Sequence, residues 1–187
     1  MPRSSADTRE RILQAAYELF YAKGFSRVGV DAVAEKAGLT KRTLYYHFRS
    51  KDDLLAAVLD DRGELALERI QRWARGLRGD ADAFVEALFA ELARWASKPR
   101  WEGAGFTRIA MELADLPGHP ARAIARRHKA AVEAWLVNEL GKRKVRRSAR
   151  AAREIVLLLE GCVALMLIHG SNDYGAAAGA AARRLLK

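Results

Sequence analysis

The stretch that decides both fold and function is Thr40–Lys51, which reads Thr-Lys-Arg-Thr-Leu-Tyr-Tyr-His-Phe-Arg-Ser-Lys. Leu44 and Phe48 are four residues apart, and this spacing predicts a short helix held by one apolar face. At about 100° per residue, Arg42 and Tyr46 fall on the opposite side of that helix. Because the stretch contains basic and aromatic residues but no acidic one, its outer face suits the major groove of DNA.

Two further helices are expected before this stretch. Asp7, with Glu10 three residues later, predicts the N-cap of the first helix, and Gly24 marks its end. A second helix is expected at about residues 30–37, and Thr40 is the predicted N-cap of the third. A helix, a tight turn containing glycine and a second helix are the helix-turn-helix arrangement.

Composition narrows the class of protein. The chain has 187 residues, half of them apolar, and a formal net charge of +10. A strong basic excess indicates a polyanionic partner, which can be nucleic acid or an anionic membrane surface. Cys162 is the only cysteine, which excludes an intrachain disulfide framework and a metal site built from several cysteines.

No segment predicts secretion or insertion into a membrane. The N-terminus is polar and lacks the apolar core of a signal peptide. The longest apolar run, residues 155–168, is interrupted by Glu160 and is shorter than the ~20 residues that a membrane span needs. We therefore expect a soluble cytoplasmic protein with no membrane partner and no cofactor.

The rest of the chain predicts more helices, about nine in all, and an all-α fold. A linking helix at about residues 50–76 joins an N-terminal three-helix domain, residues 1–51, to a C-terminal helical domain, residues 52–187. The last two helices are respectively very apolar and rich in alanine and glycine. Their faces need a partner, and the natural solution is an isologous homodimer through about residues 148–186.

Several groups of residues recur at the spacing of a known family. They are Gly24-Phe25-Ser26-Arg27-Val28, then Val33-Ala34-Glu35-Lys36-Ala37-Gly38-Leu39-Thr40-Lys41, then Thr43-Leu44-Tyr45-Tyr46-His47-Phe48, and then Lys51 and Leu54. Together they resemble the DNA-binding domain of the TetR family of transcriptional repressors, over about residues 8–55. Arg42 departs from the pattern, because many relatives carry a small residue there, often glycine.

The resemblance implies roles in binding double-stranded DNA. Arg42 and Thr43 are expected at base edges, since an arginine can bridge O6 and N7 of guanine. Tyr46 and Lys51 resemble the family's phosphate-binding tyrosine and lysine, and Tyr45 is placed to reach a thymine methyl group or a phosphate. The other members of the predicted DNA-binding set are Ser26, Arg27, Thr40 and Lys41.

The resemblance also implies a small effector bound between the middle helices of the C-terminal domain. Methionine and aromatic side chains suit an apolar or aromatic ligand, although each can equally be ordinary core. Glu160 lies in an apolar run, so its carboxylate must find a partner or become protonated. That partner can be a cationic ligand, an arginine or a group across a dimer axis. The predicted ligand residues are Trp95, Trp101, Phe106, Met111, Trp135, Glu160 and Cys162.

These features predict a ligand-responsive dimeric repressor that binds a palindromic operator and is released by an apolar or aromatic effector. The alternative is an architectural or activating DNA-binding protein without a small-molecule ligand. An enzyme is not expected, because the four histidines are scattered and no phosphate-binding glycine loop or metal-ligand spacing occurs. Residues 142–153 contain seven basic residues and no acidic one. A second DNA contact is one interpretation of them, and a solvated loop is the favoured one.

Overall fold

The computed structural model describes residues 4–99, 101, 105–116 and 118–187, which form nine α-helices, one short 3-10 helix and no strand. The expected all-α fold with an N-terminal helix-turn-helix is therefore confirmed. No helix in these ranges is long and apolar enough to span a membrane. The α-helices are α1 Ser5–Lys23, α2 Val30–Lys36, α3 Lys41–His47, α4 Lys51–Ala74, α5 Ala81–Ala96, α6 Gly105–Met111, α7 Ala121–Lys142, α8 Ser148–His169 and α9 Asp173–Arg184, and the 3-10 helix is Glu112–Asp115.

Helix α1 begins one turn earlier than the sequence predicts. The Ser4 hydroxyl accepts a hydrogen bond from the Asp7 backbone N–H at 3.1 Å, and the Asp7 carboxylate accepts one from the Ser4 N–H at 3.3 Å. This reciprocal capping box makes Ser4 the N-cap, so the prediction for Asp7 was wrong. The predicted end of α1 is confirmed, since Gly24 adopts a positive φ of 85°.

Contacts divide the described residues into two compact units. The first comprises those within Met1–Glu64 and Gly105–Arg127, and the second those within Leu65–Ala104 and His128–Lys187. Each unit has its own apolar core. Helices α4 and α7 contribute residues to both units, because the division falls inside each of them.

In the first unit, α1 to α3 pack with α6 and the first half of α4. Helix α6 packs closely against a side chain of α1 at Gly105. A Cβ added to this glycine would be 2.4 Å from the Tyr17 hydroxyl oxygen. Gly105 is the first residue of α6. A larger residue at this position would require the Tyr17 side chain to move.

In the second unit, the main contact is between α5 and α9. A Cβ added to Gly175 would lie 2.7 Å from the Ala93 Cβ atom, so the two backbones approach closely. The small residues of α9 permit this approach. Buried side chains of α5, α7 and α8 complete the core of the unit.

Candidate nucleic-acid interface

Helix α3 is fixed to the first unit by its two apolar anchors. Leu44 is fully buried, and the Phe48 side chain, which follows the last residue of α3, is 2% exposed. Thr40 is the N-cap, as predicted, and its hydroxyl accepts a hydrogen bond from the Thr43 backbone N–H at 3.1 Å. The Thr40 and Thr43 hydroxyls are 2.9 Å apart. The start and inner face of α3 are therefore held in place by core packing and capping.

The outer face of α3 carries the predicted reading residues. Tyr46 is 83% exposed and Tyr45 is 44% exposed. Arg42 is also exposed and forms no ion pair with any residue that the structure describes. A free guanidinium beside two exposed phenols forms a surface that can hydrogen-bond to base edges and phosphates. His47 is partly buried and lies edge-on to the Tyr46 ring, with the ring centroids 5.3 Å apart.

The two predicted lysine anchors differ in environment. Lys41 is exposed and pairs with Asp31 of α2 at 3.0 Å, and this hydrogen bond raises the pKa of the ammonium group. The Lys51 ammonium lies 4.2 Å from the centroid of the Phe25 ring. Burial lowers the pKa of Lys51, while Asp52 and Glu112 oppose that shift. Both lysines thus have a protein partner that a phosphate has to share or displace.

Ser26 and Arg27 are exposed on the turn between α1 and α2. The Ser26 backbone N–H donates a hydrogen bond to the Glu112 carboxylate at 3.4 Å. The same carboxylate lies beside Gly24 and helps to line a cavity of about 610 Å³ together with Lys23 and Arg27. Glu112 was missed as part of this surface, because nothing local in the sequence relates it to a turn that is 86 residues away.

The predicted ligand residues do not form a single cluster within either unit. Phe106 and Met111 belong to the first unit, where Phe106 is buried in the core and Met111 is 71% exposed. Trp95 and Trp101 belong to the second unit, and their ring centroids are 5.5 Å apart. Trp135 packs against Phe84 in that unit. None of the seven predicted ligand residues lines any of the three described cavities, one beside Glu112 in the first unit and two beside Glu86 and Arg147 in the second.

The two remaining ligand candidates, Glu160 and Cys162, lie on α8. The Glu160 carboxylate is only partly buried and pairs with Lys129 of α7 at 2.5 Å. Lys129 is therefore one partner of this carboxylate. Cys162 is 4% exposed, and burial raises the pKa of its thiol to about 11. A thiol in this environment is not activated as a nucleophile.

Comparisons of sequence agree with the geometry of the first unit. Residues 12–58 match the family model for bacterial regulatory proteins of the tetR family. SrpR of Pseudomonas putida, an HTH-type transcriptional regulator, is 46% identical over 56 residues, which are 30% of this chain and 26% of SrpR. UidR of Escherichia coli, also an HTH-type transcriptional regulator, is 34% identical over 88 residues, which are 47% of this chain and 44% of UidR. The chain therefore matches less than half the length of either relative.

Comparisons of structure extend over nearly the whole chain. A TetR-family transcriptional regulator from Streptomyces coelicolor superimposes with a TM-score of 0.81 and 27% identity, over 96% of this chain and 95% of that one. The reduced form of NemR from E. coli gives a TM-score of 0.82 over 96% of this chain and 97% of NemR. The identity to NemR is 21%, so that likeness shows the fold alone.

Proposed function

We propose that this TetR-family chain, which matches the family model over residues 12–58 and shares the fold of a TetR-family regulator over 96% of its length, is a dimeric, ligand-responsive transcriptional repressor acting in the cytoplasm. Residues 1–51 read a palindromic operator, and residues 52–187 dimerise and bind the effector, with α4 linking the two functions. The observation that carries the DNA-binding part is the exposed face of α3, supported on the buried anchors Leu44 and Phe48. The members of this family are regulators of transcription, not enzymes.

In this proposal Arg42 supplies specificity and its neighbours supply affinity. Arg42 and Thr43 meet base edges, because their side chains are at the start of a helix that enters the major groove. Tyr45 contacts the groove wall, and the hydroxyl of Tyr46 meets a phosphate. Phosphate contacts set the position of the protein on the duplex without carrying sequence information. The further phosphate contacts are assigned to Ser26, Arg27, Thr40, Lys41 and Lys51.

A homodimer through α8 and α9 is supported by the apolar side chains that α8 exposes. Leu157 is 68% exposed and Ile168 is 73% exposed. With Leu165, which is 40% exposed, they fall within about 80° of one another around the helix. A contiguous exposed apolar face of this kind favours a protein partner. A second copy of the chain also supplies the two-fold symmetry that a palindrome requires.

An apolar or aromatic effector is supported by a group of three tryptophans in the second unit. The Trp95 ring centroid lies 6.0 Å from that of Trp73 and 5.5 Å from that of Trp101. The Trp101 indole nitrogen is buried and has no hydrogen-bond partner among the described residues. A buried N–H without an acceptor is costly. We propose that the Trp101 indole N–H donates a hydrogen bond to an acceptor on an aromatic ligand.

Selection of bound sequences from a random pool of duplex DNA tests the proposal. We expect a palindrome whose half-sites are centred about one helical turn (~34–36 Å) apart or slightly more. Arg42→Ala is expected to weaken binding to that sequence at least about tenfold, while the matched variant Arg122→Ala leaves it nearly unchanged. Failure to enrich a palindrome, or a stable monomer at micromolar concentration, contradicts the repressor assignment. A palindrome at which the protein increases transcription supports an activator instead.

A further inference from the structure

The second unit contains a basic cavity that the proposed function does not use. Its volume is about 780 Å³, and its walls come from the start of α5, the turn between α7 and α8, the first turn of α8 and the end of α9. Seven of its lining side chains are basic and three are acidic. The basic residues are Arg143, Lys144, Arg146, Arg147, Arg150, Arg184 and Lys187, and the acidic ones are Asp80, Asp82 and Glu154.

Two of the three carboxylates already have partners. Asp80 is the N-cap of α5, and its carboxylate accepts a hydrogen bond from the Ala83 backbone N–H at 2.9 Å. Glu154 pairs with Arg150 at 2.8 Å. Because the seven basic lining side chains outnumber the three acidic ones, the cavity keeps a net positive potential.

Three cations on the turn between α7 and α8 have no acidic partner among the described residues. Lys144, Arg146 and Arg147 are exposed, and none of them forms an ion pair within the described part of the chain. Arg143 has a different role, because it is bonded to Glu139 at 2.8 Å and its guanidinium lies 4.0 Å from the Phe84 ring centroid. Arg143 thus forms part of the wall, while the other three are available to a ligand.

The backbone of this turn favours glycine where the chain has lysine. Lys144 has a φ of 63°, the only positive φ at a non-glycine position in the described residues. Its N–H donates to the Gly141 carbonyl at 2.9 Å, and the Val145 N–H donates to the Leu140 carbonyl at 3.1 Å. These two hydrogen bonds end α7, and helices that end in this way most often have glycine at the position that Lys144 occupies here. A positive φ is unfavourable for lysine, so its presence at position 144 favours a functional role for the Lys144 side chain.

The first turn of α8 adds to the positive potential. It contains no acidic residue, and no side chain caps its N–H groups. The N-terminus of a helix carries a partial positive charge and free N–H donors. Arg147, the N-cap residue, and Arg150 of the first turn both line the cavity, so the helix end and the guanidinium groups act on the same space.

We propose that this cavity is a binding site for a small molecule that carries several phosphate groups. Guanidinium groups match phosphate oxygens with paired hydrogen bonds. A concave site of this volume falls in the range of small-molecule pockets, about 300–1,000 Å³. The site belongs to the second compact unit, whereas the reading helix α3 belongs to the first. The sequence favoured a solvated loop here, and the cavity behind that loop is what changes the interpretation.

Calorimetric titration of the full chain with sodium tripolyphosphate tests this site. In about 50 mM salt, where screening is weak, we expect saturable binding of one anion per chain. Arg146→Ala combined with Arg147→Ala removes two exposed cations and should weaken binding by about tenfold for each lost charge-assisted contact. The matched control, Arg122→Ala combined with Arg126→Ala, removes the same charge from exposed positions of α7 and should change the affinity by no more than about twofold.

Lys144→Gly separates a binding role from a structural one. Glycine relaxes the positive φ, so the thermal midpoint should rise, while the loss of the ammonium group should weaken tripolyphosphate binding. Weaker binding in a more stable protein supports the site. Absence of saturation by about 1 mM tripolyphosphate overturns the proposal, and so does equal weakening of binding in the two double variants. It is also overturned if the Arg146→Ala, Arg147→Ala variant binds a duplex of about 20 base pairs more weakly but binds tripolyphosphate as the unmodified chain does. The last outcome would make the turn a DNA contact.

Discussion

Replacing Glu112 with glutamine should strengthen DNA binding. The Glu112 carboxylate accepts a hydrogen bond from the Ser26 N–H at 3.4 Å and shares a cavity with Lys23, Arg27 and Arg108. We assign the turn that carries Ser26 and Arg27 to phosphate contacts. A negative charge beside that turn repels the phosphates and partly neutralises the cations that attract them. Glutamine keeps the shape and a hydrogen-bond acceptor but removes the charge.

The size of the effect follows from Coulomb's law. Two unit charges about 6 Å apart interact by about 0.7 kcal/mol in water and about 3 kcal/mol at an effective dielectric constant of 20. Glu112 is partly exposed, and salt screens the interaction further, so the lower value applies. That value corresponds to about a threefold change in affinity for each N-terminal three-helix domain. For a dimer that places both of these domains on one operator, the change is about tenfold.

Fluorescence anisotropy with a labelled duplex of the selected operator measures this change. The matched control is Glu64→Gln, which removes the same charge from an exposed position of α4 in the same compact unit. We expect about tenfold tighter binding for Glu112→Gln at low salt, a smaller gain at high salt, and little change for the control. Equal gains in both variants would show only an effect of net charge. Weaker binding of Glu112→Gln would refute the reasoning, because it would mean that the carboxylate holds the turn in the DNA-binding conformation.

Three further predictions concern the second unit. Gly175→Ala should lower the free energy of unfolding by about 1–3 kcal/mol in urea titrations, because the new Cβ would lie 2.7 Å from that of Ala93. Gly141→Ala, which meets nothing within 4 Å, should instead raise it by up to about 1 kcal/mol, and the same sign in both variants would contradict the packing argument. Burial lowers the pKa of His128 to about 4, below its usual value near 6.5, so stability present above pH 6.5 is lost as the pH falls towards 4. His128 is half-buried, so on the order of 1–2 kcal/mol is expected, and a His128→Gln variant that keeps this pH dependence in urea titrations would refute the assignment. Cys162 should react with a thiol reagent only after unfolding, since its thiol is buried and its pKa is raised to about 11; rapid labelling of the native protein at pH 8 would contradict this.

The reading helix could be predicted in detail because its determinants are local. The cap at Thr40, the anchors Leu44 and Phe48, and the outward direction of Arg42 and Tyr46 all follow from residues within one or two helical turns. The all-α fold followed for the same reason, since apolar periodicity and caps lie within each helix. The one wrong cap, that of α1, is also local. The sequence predicts a capping pair of Asp7 and Glu10, whereas Ser4 and Asp7 form it one turn earlier.

The surroundings of the functional side chains were decided by contacts between residues that are distant in the sequence. Glu112 reaches the turn at Ser26, the Lys51 ammonium lies over the Phe25 ring, and Glu160 pairs with Lys129. Each of these contacts depends on how two or more elements pack, and a side chain carries no local signal for its distant neighbour.

The sequence by itself therefore determined which segments are helical, which face of α3 turns outwards and which family the DNA-binding domain resembles. Only the tertiary structure decided which charges are neutralised and which remain free. The basic residues near Lys144 illustrate the difference. As a run in the sequence they indicate a solvated loop, but α5, α8 and α9 bring a concave wall to them. Short-range periodicity and capping create the helices, whereas the electrostatic character of a site depends on the charges that packing brings within a few ångströms.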